Sequence, residues 1–163
     1  IAKSMTGFIN AFVEQMNAII ARIWNYPFQL MPINISDGDV DLDYRFEVLV
    51  MDRETIPDIT KCSAGMQEII DLSFKLVSMN CLHIQNMPIY LDEFGKSMDH
   101  IHRAMAFDMV MQSMAHASYT QIYMVSHYDT AYGGLANADV VVLDKQNVVI
   151  PPGMEVNTAI QWS

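Results

Sequence analysis

Asp92 and Glu93 close a short apolar run, Met87-Pro88-Ile89-Tyr90-Leu91, and this abrupt change from hydrophobic residues to two adjacent carboxylates is where chemistry is expected first. A hydrophobic strand holds such a pair rigidly at the edge of a sheet, where the first acid can bind Mg²⁺ through water and the second can orient an attacking water. The chemistry such a pair would serve is hydrolysis of a nucleotide phosphate. Upstream, Ser63-Ala64-Gly65 opens a helical pattern whose first turn offers N–H groups and a partial positive charge, a seat for an anion such as a γ-phosphate. Downstream, His127 stands just past a second apolar run, where an imidazole reaches a phosphate or an attacking water.

Each signal has an ordinary counterpart. Buried strands often end in solvated acids, a serine before a helix is commonly just its N-cap, and a lone histidine after a strand is usually a hydrogen-bonded surface residue. Their order along the chain gives them meaning together. Gly95-Lys96-Ser97 imitates the tail of a phosphate-binding loop, but that loop needs glycine at position 90, where Tyr90 stands, so Gly95 to Asp99 reads as a turn after the strand. Asp37, Asp39, Asp41 and Asp43 imitate a calcium loop. Counting from Asp39, however, puts Tyr44 at the required glycine and Val50 at the required glutamate, which leaves a solvated acidic turn. His100 and His102 are two apart and point in different directions on a helix, a poor arrangement for a shared metal. The methionines between Met98 and Met114 are read as core gap-fillers.

The elements that must position these residues follow from periodicity. Apolar residues from Met5 to Trp24, including Phe8, Ile9, Phe12, Val13, Met16, Ile20 and Ile23, recur at helical steps, and Pro27 ends the helix. Asp37-Gly38-Asp39 reads as a turn, Tyr44 to Val50 alternates as a half-buried strand, and Met51 to Thr60 reads as a loop. Ser63 caps a helix to about Met79, with Ile69, Ile70, Leu72, Phe74, Leu76 and Val77 buried. A strand over 87–91, a helix over 98–116 and a strand over 121–125 follow. Gly133-Gly134 breaks the next segment, residues 138–143 and 147–150 read as a hairpin, and Pro151-Pro152-Gly153 closes the regular structure. The alternation predicts an α/β domain with a mainly parallel central sheet flanked by helices.

The 163 residues suit one domain, and 52% hydrophobic composition lets it bury a core. A formal charge of −10 opposes non-specific contact with a phosphate backbone, so DNA contact must come largely from other parts. The apolar runs fall short of the roughly 20 residues that span a bilayer, which predicts a soluble, cytoplasmic protein with no membrane partner. Cys62 and Cys81 form no pairing pattern and read as reduced thiols. The chain starts at Ile1 with a helix already in mid-course and reads as a piece of a longer polypeptide.

Tyr90-Leu91-Asp92-Glu93-Phe94-Gly95-Lys96-Ser97-Met98-Asp99 with His102-Arg103, preceded by Ser63-Ala64-Gly65-Met66-Gln67 and followed by Met124-Val125-Ser126-His127-Tyr128, resembles the C-terminal lobe of an SMC-like ABC ATPase head. The resemblance is to SbcC-type DNA repair exonuclease subunits, phage-encoded ones among them, and covers roughly Cys62 to Ile150. It implies the C-terminal half of a P-loop ABC-type ATPase head over residues 27–163, with residues 1–26 as a helix descending from a coiled coil. It further implies ATP and Mg²⁺ as cofactors. Asp92 would hold Mg²⁺ in a Walker B motif, Glu93 would position or activate water, and His127 would contact the γ-phosphate. Ser63 and Gly65 would bind the γ-phosphate held by the opposite head, and Asp99 would couple the two sites at the dimer seam. Ala64 and Met66 depart from the usual Ser-Gly-Gly-Gln or Ser-Gly-Gly-Glu signature. The implied partners are an N-terminal lobe carrying the Walker A loop, which this chain lacks, a second head in a homodimer, a nuclease subunit, and DNA through the full complex. The interval from Ser63 to Asp92 is longer than is usual in transporter ATPases, which favours the SMC-like branch. A scaffolding module that keeps the fold without turnover, and a transporter nucleotide-binding subunit, remain as alternatives.

Overall fold

The computed structural model describes residues 2–33, 45–117 and 119–127. The expected acidic turn near Asp37, the break at Gly133-Gly134 and the hairpin over 138–150 lie outside the described residues. Within them the protein is α/β, with three helices and two small sheets.

The first helix, α1 (Ala2–Ile23), buries Val13, Met16, Ile20 and Ile23, spaced so that one stripe faces inward. Its other half behaves differently: Met5 and Phe8 are exposed, and Ile9 and Phe12 are only partly covered. Beyond Pro27 come β1 (Phe28–Leu30), β2 (Val48–Val50) and β3 (Glu54–Ile56), an antiparallel meander in that order. Neither β1 nor β3 is expected from the sequence, and the larger sheet is antiparallel where a mainly parallel one is expected. The edge of β1 is satisfied from α1. Asn17 donates to the Leu30 carbonyl at 2.9 Å and accepts the Leu30 N–H at 2.8 Å, and Asn10 does the same for Ile33 at 3.2 and 2.9 Å. Two carboxamides seven residues apart on α1 thus occupy hydrogen-bonding groups that would otherwise invite another strand. The β2–β3 turn places Met51 and Asp52 at φ 51° and 55°, left-handed conformations carried by residues that do not advertise them.

After a 3₁₀ turn at Ile59–Lys61 comes α2 (Ala64–Cys81), started by Ser63, whose Oγ accepts the Met66 N–H at 3.3 Å. Ile69, Ile70, Leu72, Leu76 and Val77 are buried as expected, but Phe74 is exposed and meets Phe12 at 5.5 Å between ring centroids. The helix turns its Phe74 edge toward the uncovered half of α1, so that side chain has a neighbour without having a roof. Cys62 is buried, Cys81 is half-buried, and both are free thiols; burial pushes the Cys62 thiol above its ordinary value.

Next, β4 (Ile89–Leu91) and β5 (Ile122–Met124) pair in parallel, Ile89 with Ile122 and Leu91 with Met124, with α3 (His100–Ala117) as the crossover. Ile89 and Leu91 point into the core, while Tyr90 and Tyr123 stack on the outer face at 5.1 Å. The helix contributes Ala106, Phe107 and Val110 to the same core, with Met109 buried and Met105, Met111 and Met114 packed against it, the gap-filling role expected of them. Each fully buried Ile or Leu contributes about 1.5–3 kcal/mol, so Ile20, Ile23, Leu30 and Ile69 are principal anchors. Among the described residues, no helix is long and apolar enough to cross a membrane.

Candidate functional site

The structure sets Asp92 and Glu93 directly after the last residue of β4. Parallel pairing continues past the strands: Val125 donates to the Leu91 carbonyl at 2.9 Å and Phe94 donates to the Val125 carbonyl at 3.0 Å. The acid pair is therefore held between two backbone bonds at the carboxyl end of the sheet, the end at which open α/β sheets bind ligands. Asp92 is exposed, and one of its oxygens accepts the Glu93 N–H at 3.0 Å. Glu93 adopts φ 47°, a left-handed conformation that costs a non-glycine residue of order 1–3 kcal/mol and turns the chain sharply after the strand. Its carboxylate bonds Lys96 Nζ at 2.7 Å, which holds the glutamate below its ordinary value, with the charge of His127 adding to the effect. His127 is exposed and follows β5, so it joins Asp92 and Glu93 at one end of the sheet.

Ser63, Gly65 and Asp99 lie at the starts of α2 and α3. Ser63 is exposed and acts as the N-cap described above. Gly65 is buried: a Cβ there would stand 2.8 Å from the Ser97 carbonyl oxygen and 3.5 Å from Cη2 of Trp24. The closeness of the loop before α3 is what demands glycine. Asp99 caps α3, with Oδ1 accepting the Ile101 and His102 N–H groups, each at 2.9 Å, and Oδ2 meeting His102 Nδ1 at 2.5 Å. These hydrogen bonds from His102 lower the Asp99 carboxyl below its ordinary value.

A clamped loop, residues 93–98, joins the two groups. Glu68, near the start of α2, accepts the N–H groups of Gly95 and Ser97. Arg103 of α3 donates through Nε to the Gly95 carbonyl at 2.9 Å and through Nη2 to the Met98 carbonyl at 2.7 Å. Gly95 itself takes φ 79°. Neither Glu68 nor the buried His102 stands out by type in the sequence, although Asp99-x-x-His102 has the spacing of a helix cap. A comparison of the sequence with protein-family models and with curated proteins finds no match.

Proposed function

We propose that this chain is the C-terminal part of an SMC-like ABC ATPase that hydrolyses ATP to drive DNA repair, recombination or end processing through dimerisation of its heads in the cytoplasm. The observation that carries the proposal is the position of Asp92 and Glu93 at the carboxyl end of β4, beside the β5 end that leads to His127. Ser63 and Asp99 support it by opening two helices whose loops touch at Gly65 and Ser97.

In this reading Asp92 is the residue that would hold Mg²⁺, and one exposed carboxylate would suffice, because Mg²⁺ keeps several waters and takes one or two protein carboxylates. Glu93, its neighbour, would orient the attacking water. The Lys96 bond holds its carboxyl below the ordinary value, which keeps it ionised and suits it to accept a hydrogen bond from water rather than to retain a proton. His127 donates to developing charge. The first turn of α2 would take the phosphate carried by the opposite head, so that nucleotide binding would close the pair and hydrolysis would reopen it.

Uncovered apolar surface supports a missing lobe. A groove of about 870 Å³ between α1 and α2 is lined by Phe8, Phe12, Phe74 and Leu82 among others, and Tyr90 and Tyr123, stacked on the outer face of the parallel sheet, are exposed. Parallel sheets are ordinarily covered on both faces, and the lobe with the Walker A loop is the proposed cover.

Glu93→Gln in the complete protein tests the reading: ATP-bound dimers accumulate on a sizing column and turnover falls by about 10²-fold or more. Unchanged turnover would sink it. One observation favours the scaffolding alternative, namely that the Glu93 carboxylate is engaged by Lys96. A complete protein that neither binds nor hydrolyses ATP establishes that alternative.

A further inference from the structure

Trp24 sits one residue beyond α1, against the start of α3 and close to the start of α2. Its ring stacks on His102 with centroids 3.9 Å apart and planes 17° apart. The same ring borders Gly65, at the start of α2. His102 is 5% exposed and uses both ring nitrogens. The Asn25 backbone N–H can only donate, and it meets Nε2 at 3.4 Å, so the ring proton lies on Nδ1, facing Asp99 Oδ2. An aspartate whose side chain is 54% exposed is thereby fixed from inside by a buried imidazole. Capping α3 needs only Oδ1, which already accepts two N–H groups. The second oxygen, Oδ2, is left to the histidine.

We propose that Trp24 and His102 are positioning residues that tie the end of α1 to Asp99, so that the direction of α1 and the placement of the aspartate at the rim change together. This rests on the ATPase reading above. A tilt of α1 carries Trp24 and the Asn25 N–H with it. His102 must then turn to keep its stack and its acceptor bond, and the Nδ1–Oδ2 bond turns with it. Because Trp24 also borders Gly65, the same movement reaches the start of α2. The link is a contiguous chain of contacts, and by reciprocity a ligand that fixes Asp99 also biases α1.

A double-mutant cycle in the complete protein tests this. His102→Phe keeps a ring for Trp24 but removes both nitrogens, and it lowers kcat by about tenfold with KM for ATP little changed, the pattern of a misplaced group rather than of lost binding. Asp99→Ala has a similar effect, and the double variant falls no further, because His102 acts through Asp99. His102→Asn, whose amide still donates toward Asp99, recovers part of the loss. In a background in which Trp162 and any tryptophan outside these 163 residues are replaced by Phe, Trp24 is the sole reporter. Its emission shifts on addition of Mg²⁺ and ATP, and His102→Phe abolishes the shift. An active enzyme in which the two losses add, in which His102→Phe leaves kcat unchanged, or in which Trp24 emission ignores ATP overturns the coupling alone. A wild-type protein without ATP turnover overturns the ATPase reading and the coupling with it.

Discussion

Glu68 holds Gly95 from another element: one carboxylate oxygen accepts the Gly95 N–H at 2.5 Å, and the other accepts the Ser97 N–H at 3.0 Å. Charge-assisted bonds of this kind are the stronger class, and breaking the pair leaves two backbone donors without their acceptor. Glu68→Ala is expected to destabilise the fold by about 2–3 kcal/mol, read by chemical denaturation, with Glu68→Gln losing about half as much because one acceptor remains. A loss under about 0.5 kcal/mol would show that water replaces the carboxylate.

The two site glycines fail for different reasons when enlarged. At Gly95 the backbone φ of 79° is itself unfavourable for alanine, and the new Cβ would fall 2.5 Å from Arg103 Cγ, on a side chain that two carbonyls already hold. At Gly65 the nearest atom is the Ser97 backbone oxygen at 2.8 Å, so α2 and the loop before α3 must separate. Gly95→Ala and Gly65→Ala are each expected to cost about 1–3 kcal/mol in thermal or chemical denaturation. Gly7→Ala, on a helical position with open space around it, should instead stabilise by about 0.5–1 kcal/mol.

The three helices are legible because their signals are local. Val13, Met16, Ile20 and Ile23 keep helical spacing, Ser63 caps α2, and the helix expected over 98–116 is α3, which starts two residues later because Asp99 caps it. The strands β1 and β3 are not legible, because each is three residues long and what stabilises them is remote. The edge of β1 depends on Asn10 and Asn17, and the turn before β3 depends on positive φ at Met51 and Asp52. The position of Asp92 and Glu93 just past a strand is legible because an apolar run stops at them. The clamp by Glu68 and Arg103, and the stack of Trp24 on His102, span distant segments and carry no periodic signal. Phe74 is misjudged for a related reason: hydrophobicity at helical spacing identifies a face, and only the fold decides how much of it is covered.

Acid should weaken the start of α3 by way of Asp99. Its folded carboxyl lies below the ordinary value of 3.8, so its contribution to stability is fully present above that value and is lost as pH falls through the lower, folded value. The stability gap between wild type and Asp99→Ala is therefore expected to hold constant from pH 7 to about 5 and to shrink below about 4. Denaturation curves at several pH values measure it, and a gap that widens in acid would contradict the sign.

Lys96 decides how strongly Glu93 resists protonation. The 2.7 Å bond to Lys96 is the leading cause of the lowered Glu93 carboxyl, ahead of the charge of His127. Lys96→Met removes it, and a carboxyl NMR titration of this chain should then find Glu93 moved upward toward its ordinary value of 4.5, with the His127 contribution left in place. In the complete protein the same variant releases the carboxylate to water. If the ion pair is a resting state, turnover at neutral pH rises or is unchanged; if Lys96 holds Glu93 in its working position, turnover falls by about tenfold, a loss of about 1.4 kcal/mol in the barrier. An NMR midpoint that does not move on loss of Lys96 would mean that the pair is screened by solvent, as exposed ion pairs often are, and that the turn at Glu93, with its positive φ, alone sets where this carboxylate points.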